Sequence, residues 1–195
     1  MPSSIQLIVG LGNPGPNYSA TRHNVGVWFV NALAEHCGAQ WHSETKFHGL
    51  HTQIQLGLAP CRLLVPMTFM NHSGRSVQAI SHFYKIDPHQ ILVVHDELDF
   101  DPGVVRLKVG GGHGGHNGLR DIQQQLQTGD FQRIRLGIGH PGHKSKVSAY
   151  VLSSPPTKER ECIEVSIATV MDVLPDILSG DFERAQQRLH QDSTI

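Results

Sequence analysis

Ile91-Leu92-Val93-Val94-His95-Asp96-Glu97 is a run of four apolar residues that passes without a break into three polar ones. A short, uninterrupted, β-branched-rich apolar run reads as a strand buried on both faces. Its end then sets an imidazole and two carboxylates at a strand's carboxyl tip, which is where ligands collect in open α/β sheets. Ile5 to Leu11 reads the same way: an apolar strand ended by glycine, feeding the loop Gly12-Asn13-Pro14-Gly15-Pro16.

Outward from these two strands the pattern alternates. Val25, Trp28, Phe29, Ala32 and Leu33 form one helical stripe that ends at Gly38, with His23 and Asn24 near its first turn. Phe47 to Leu58 and Arg62 to Val65 read as a strand pair about Gly57-Leu58-Ala59-Pro60. A helix carrying Val77, Ile80, Phe83 and Tyr84 follows, entered through Met70, Asn71 and His72. Val105, Leu107 and Val109 alternate with Arg106 and Lys108, giving a strand with one basic face. Leu119, Ile122 and Leu126 mark a helix, Ile134 to Ile138 a further strand, and Ile163, Ile167, Val170 and Leu174 a long helix, with a last amphipathic helix at Phe182 to Leu189. Strands alternating with helices, some strands adjacent in sequence, predict an α/β fold: residues 1–195 as a single domain with a mixed, twisted central β-sheet flanked by helices. A chain of 195 residues with 38% apolar content can bury a sizeable core.

Between the basic-faced strand and the next helix lies Gly110-Gly111-Gly112-His113-Gly114-Gly115-His116-Asn117-Gly118. Glycine omits the Cβ and takes positive φ without penalty, so this loop suits close approach of backbone to a ligand, at an entropic cost that a spacer does not need to bear. The surrounding charge agrees. From Arg106 to Arg160 there are nine Lys or Arg against three Asp or Glu, although the whole chain has a net charge of -1. A cationic middle beside a glycine loop fits a phosphate-bearing partner, and the acidic remainder argues against wrapping a long duplex.

Several chemistries are disfavoured. Gly10-Leu11-Gly12-Asn13-Pro14-Gly15 spells the dinucleotide fingerprint, with Glu35 beyond it, yet Pro14 and Pro16 delay the helix N-terminus that must hold pyrophosphate. No Gly-Lys-Ser or Gly-Lys-Thr supports a nucleotide-triphosphate loop. Cys37, Cys61 and Cys162 are odd in number and far apart, which favours neither disulfides nor a cysteine zinc site. Fourteen histidines include the short spacings His113/His116 and His140/His143, without the helical motif or carboxylate spacing of zinc hydrolases. No G-x-S-x-G elbow offers a side-chain nucleophile, which leaves water. Activating water at neutral pH calls for a histidine held by a carboxylate, and His23 with Asp96 fits those roles. Asn13, Asn71 and Asn117 lie at loop boundaries beside the same core elements. No apolar run approaches the roughly 20 residues of a membrane span, so a soluble, cytoplasmic protein without membrane contact is expected.

Gly10 to Gly15, Tyr18 to Asn24, Phe69-Met70-Asn71, His95 to Asp99 and Gly110 to Gly118, in this order and over nearly the whole chain, resemble the bacterial-type peptidyl-tRNA hydrolase family. The resemblance implies a monomer with no metal and no organic cofactor. It also implies hydrolysis of the ester between a peptide and the terminal ribose of tRNA, recycling tRNA from aborted translation. It casts His23 as general base, Asp96 as its orienting carboxylate, and Asn13, Asn71 and Asn117 as amides positioning substrate and water, with the oxyanion donor among them left open. Phe69, Met70, Gly114 and His116 would line the peptide channel, Tyr18 would stack on the 3′ CCA end, and Lys108 and Arg135 would clasp the 5′ phosphate of the acceptor stem, with Lys144 and Lys146 in a following loop. His72 stands where the family usually has an apolar residue, which would put a second titrating group near the site. A fold that binds RNA without catalysis, or a dinucleotide-dependent oxidoreductase, are the competing readings.

Overall fold

Strand order follows from which segments are apolar on both faces. In the computed structural model, which describes residues 4–56 and 59–191, seven strands form one sheet. They are β1 (Leu7–Gly10), β2 (His42–Glu44), β3 (Gly49–Gln55), β4 (Pro60–Pro66), β5 (Ile91–Glu97), β6 (Val105–Val109) and β7 (Gln132–Gly137), in the order β2-β3-β4-β1-β5-β7-β6. The doubly apolar strands β1 and β5 lie side by side and parallel, flanked by parallel β4 and β7, while β2, β3 and β6 run antiparallel to their neighbours. The sheet is mixed as expected, and the polar edges are where pairing rather than burial sustains the strand.

Among the described residues six α-helices cover it: α1 (Val25–His36), α2 (Ser73–Tyr84), α3 (Asn117–Leu126), α4 (Val147–Val151), α5 (Thr157–Ser179) and α6 (Phe182–Gln191). One core joins Phe29, Val30 and Leu33 of α1 and Ile163, Val170 and Leu174 of α5 to alternate residues of the strands, among them Ile8, Leu92 and Ile134. On the other face Val77 and Ile80 of α2 and Leu119 and Ile122 of α3 pack on Leu7, Val9, Ile91 and Val93. Among the described residues no helix is long and apolar enough to cross a membrane.

Gly10 and Gly26 let α1 cross the centre of the sheet at contact distance. A Cβ on Gly26 would lie 2.2 Å from the Val94 carbonyl oxygen, and one on Gly10 would lie 2.4 Å from the Gly26 carbonyl oxygen. Gly10 and Gly12 of the Gly10–Gly15 spelling therefore serve strand–helix packing, while Gly15, with nothing within 4 Å of an added Cβ, serves a turn at positive φ. Residues 14–20 form turns and bends, a 3-10 turn occupies Arg22–Asn24, and α1 begins only at Val25, so no helix N-terminus falls within the motif.

Some expectations shift. The exposed, polar strand β2 carries no apolar signal and exists through its pairing with β3. Phe47 belongs to a 3-10 turn over Thr45–Phe47 and not to β3. Phe83 is 55% exposed, laid edge-on against Phe47, because it lies off the buried stripe of α2. Val109 is 63% exposed because it ends the sheet's outermost strand. Gly57 and Leu58 of the expected turn lie outside the described residues, as do the first three residues and the last four. The segment read as a loop around Lys144 and Lys146 is a 3-10 turn over Lys144–Lys146 leading directly into α4.

Candidate active site

A cleft of about 1130 Å³ opens at the carboxyl ends of β1 and β5, and the residues given a catalytic or substrate-binding role from the sequence line it: Asn13, Tyr18, His23, Phe69, Met70, Asn71, Asp96, Lys108, Gly114, His116, Asn117, Arg135 and Lys144. A smaller hollow of about 460 Å³ between α1 and α5, lined by Trp28, Ile167 and Met171 among others, contains none of them.

At its floor is Asp96, next to last in β5 and only 4% exposed. His23 Nδ1 donates to both of its oxygens, at 2.9 Å and 3.0 Å. A second imidazole completes the carboxylate's shell: His116 Nε2 donates to Asp96 Oδ1 at 2.9 Å, with its ring 4.9 Å from that of His23. The His116 tautomer is fixed from its other side, because Nδ1 caps α3 by accepting from the backbone N–H groups of Gly118 (3.1 Å) and Leu119 (3.4 Å). Its proton therefore resides on Nε2. With a carboxylate holding the Nδ1 proton, His23 keeps its lone pair on Nε2.

The electrostatics follow. Burial would raise the Asp96 carboxyl, but the two neighbouring imidazoles, by charge and by hydrogen bond, hold it well below the usual carboxylate range. Burial would push His23 down, yet the Asp96 charge and hydrogen bond leave it above the ordinary histidine value. His95, the neighbouring residue on β5, donates from Nδ1 to the Asp96 carbonyl oxygen at 2.7 Å and lies edge-on to His116. Burial, with His116 beside it, pushes His95 down to about 3, so it stays neutral.

His23, Asp96 and His116 present ligand atoms within 4.8 Å of one another, close enough for a metal ion. Coordination through His116 Nε2 would move its proton to Nδ1, against two backbone N–H groups that already point there. The donor set is committed to hydrogen bonding, not to a cation.

Asn13 is fixed on three sides. Asn24 Oδ1 accepts from its backbone N–H and Asn24 Nδ2 donates to its carbonyl, both at 2.9 Å, while Asn13 Oδ1 accepts from the Met70 N–H at 2.8 Å. The amide nitrogen of Asn13 is thus the end left for a ligand. Asn117 is oriented alike, its Oδ1 taking Arg120 Nη1 at 3.1 Å. Asn71 is exposed on the cleft rim. Tyr18 and Phe69 meet edge-on at 6.2 Å, with Phe69 56% exposed. Leu98, Val147, Val151 and Leu152 form an apolar part of the lining. His72 is exposed and is not among the residues lining the cleft, so the second titrating group anticipated at the site is absent from its lining, and Lys146 is likewise exposed outside it.

Four cations share one face of the β6–β7 ladder, where Arg106 opposes Arg135 and Lys108 opposes Arg133. Arg135 spends its Nε on Glu97 Oε2 at 2.9 Å and stacks on Phe100 at 4.6 Å. Arg133, 2% exposed, donates to the carbonyls of Gly111 and Gly112. It therefore fastens the glycine loop as that loop carries the chain from the far end of β6 back to Asp96, turning at Gly110, Gly111, Gly114 and Gly115 with positive φ. From the sequence, Arg133 draws no notice, and Asn24 and His95 are placed near the site without a role. Asn24 adjoins His23 and Arg133 sits two residues before Arg135, but each acts through backbone groups that no motif records.

An imidazole polarised by a buried carboxylate at the strand ends of an α/β sheet, ringed by oriented amides, defines a class of protein: one built to draw a proton from a small nucleophile. The family model described as Peptidyl-tRNA hydrolase matches residues 7–195. A peptidyl-tRNA hydrolase of Legionella pneumophila (strain Lens) is 52% identical over 187 residues, 96% of this chain and 99% of that protein. One of Pseudomonas paraeruginosa is 54% identical over 189 residues, 96% and 97% respectively. The crystal structure of peptidyl-tRNA hydrolase from Acinetobacter baumannii superimposes with a TM-score of 0.94 at 47% identity, covering 97% of this chain and 96% of the other. The chain belongs to the peptidyl-tRNA hydrolase family.

Proposed function

We propose that this chain hydrolyses the ester joining a peptide's carboxyl carbon to the 3′-terminal ribose of tRNA, with water activated by His23. The observation that carries the reading is the pair of hydrogen bonds from His23 Nδ1 to Asp96, at 2.9 and 3.0 Å, inside the cleft. His23 Nε2 accepts a proton from water as the water oxygen bonds to the acyl carbon, and Asp96 stabilises the resulting imidazolium. The tetrahedral oxyanion then collapses, the carbon–ribose oxygen bond breaks, and the proton passes from His23 to the leaving ribose oxygen. Asn13 and Asn117, whose carbonyl ends are occupied within the protein, are the amides prepared to donate to the oxyanion or to the peptide backbone, and Asn71 completes the set from the rim.

Met70, Phe69, Gly114 and His116 border the place of the peptide, Tyr18 offers a ring to the terminal base, and the cationic face with Lys108, Arg135 and Lys144 receives backbone phosphate of the acceptor stem. A cytoplasmic monomer needing neither metal nor cofactor is part of the same reading.

The test is release of N-acetyl-aminoacyl groups from labelled tRNA by the purified protein, with unblocked aminoacyl-tRNA in parallel and with EDTA present. The blocked ester is expected to be cleaved selectively and His23→Ala to lower turnover by roughly 10²–10⁴, with tRNA binding retained. Saturable tRNA binding without ester cleavage would instead mark a non-catalytic RNA-binding protein.

A further inference from the structure

The residue before the base is a buried cation that no step of the proposed reaction uses. Arg22 is 5% exposed, and its guanidinium lies over the Tyr150 ring at 4.1 Å. Nη1 donates to Ser153 Oγ at 2.7 Å, to the Ser153 and Ser154 carbonyls at 3.3 Å each, and to the Tyr150 carbonyl at 3.5 Å. Nη2 pairs with Glu159 Oε2 at 2.8 Å, and the backbone N–H of Arg22 donates to the Ser153 carbonyl at 3.1 Å.

Apart from the Tyr150 carbonyl, these acceptors belong to Ser153 and Ser154, the residues that carry the chain out of α4. α4 has five residues, too few to hold its own position, and it ends at Val151. Arg22 thus grips the end of α4 and the turn that follows it with both main chain and side chain, across more than 120 residues of sequence. On its cleft side α4 supplies Val147, Ser148 and Val151, and the 3-10 turn leading into it supplies Lys144.

We propose that Arg22 is a positioning residue: it joins the α4 wall of the cleft to the turn carrying His23, so that substrate seated against α4 and the proton acceptor are held in one register. The proposal rests on His23 being the base. Its consequence is kinetic. Loosening the clasp lets the imidazole and the seated ester lose mutual alignment, and misplacement on the ångström scale is expensive in the chemical step while costing little in binding.

The experiment is single-turnover hydrolysis of N-acetyl-aminoacyl-tRNA at saturating enzyme, where the rate constant does not depend on the fraction of folded protein, together with KM and a thermal melt. Arg22→Lys keeps a charge for Glu159 but loses the fork, and is expected to slow the single-turnover step roughly tenfold with KM held within about twofold. Glu159→Gln, which leaves the carbonyl bonds in place, should slow it in the same direction by a smaller factor. It also decides the question, with Ser153→Ala, if Arg22→Lys does not fold. An unchanged rate constant in the folded variants, or a loss carried entirely by KM, overturns the positioning role. A His23→Ala protein that still turns over would overturn the base assignment instead. A dead His23→Ala beside an unimpaired Arg22→Lys would overturn the coupling alone.

Discussion

Asp96 receives hydrogen bonds from two imidazoles, and they ask different things of it. His116 donates to the carboxylate from Nε2 while its Nδ1 caps α3, so it holds Asp96 in place from the glycine-loop side. His23 is the ring free to change protonation, and the carboxylate favours its charged form against the burial that disfavours it. An unprotonated base is required, so kcat/KM should fall as pH drops through a His23 pKa lying above the ordinary histidine value of about 6.5. Asp96→Asn removes the charge that raises this pKa while the burial that lowers it remains. The acid limb should therefore move to lower pH, with the plateau reduced by about 10²–10⁴ because the Nδ1 proton is no longer pinned by a carboxylate. A pH–rate series on both proteins checks this, and an acid limb that stays in place would show that His23 is not the group being titrated. At this scale the pair was legible, since a histidine near a helix start and a carboxylate at a strand tip are visible in sequence. The second imidazole's grip on Asp96 was not, because it depends on a cap formed two residues further on.

Elements were read best where burial writes a period into the sequence. β1, β5, α1 and α5 stand where their apolar runs and stripes put them, whereas β2 and α4 are maintained by a partner strand and by Arg22 and have no pattern of their own. Glycine spelling misleads in the same way: Gly10 and Gly12 spell a dinucleotide motif but, with Gly26 of α1, act in packing. A Cβ on Gly12 would lie 2.6 Å from Val27 and 2.8 Å from the Asn24 amide that clamps Asn13. The packing account makes a quantitative demand. Gly26→Ala gains helix propensity of up to about 1 kcal/mol, but drives a methyl into the Val94 carbonyl and the Leu11 backbone nitrogen. Overpacking of this kind costs about 1–3 kcal/mol, and against fixed backbone the upper end applies, so a net loss of roughly 2 kcal/mol is expected. For a chain of this size that lowers Tm by roughly 4–8 °C. Gly112→Ala, with nothing within 4 Å and no positive φ, should leave Tm nearly unchanged. Calorimetry on the two variants decides it, and equal melting points would mean that α1 does not need its close approach to the sheet.

For the whole molecule, the net charge of -1 conceals a separation that the fold turns into a surface. Arg106, Lys108, Arg133 and Arg135 alternate along two adjacent strands and therefore emerge on one face, beside the cleft and the glycine loop. The cationic middle of the sequence anticipated this, but charge counting cannot tell a free cation from an occupied one. Arg133 is spent on loop carbonyls and Arg135 on Glu97, whereas Lys108, half-buried, folds back against Gly111, whose added Cβ would lie 2.8 Å from its Cε. If this face meets tRNA through phosphate, binding must release counterions, and each phosphate neutralised contributes about 0.7–0.9 to the slope of log affinity against log salt. Lys108→Ala should weaken deacylated tRNA binding by a similar factor for different tRNA species and flatten that slope by about one. Lys158→Ala, at an exposed position on α5 outside the cleft, should leave it unchanged. Titrations over a range of KCl concentrations separate the cases. Equal slopes for wild type and Lys108→Ala would remove the β6–β7 face from the tRNA path, and a flattened slope for Lys158→Ala would move that path to the α5 side of the molecule.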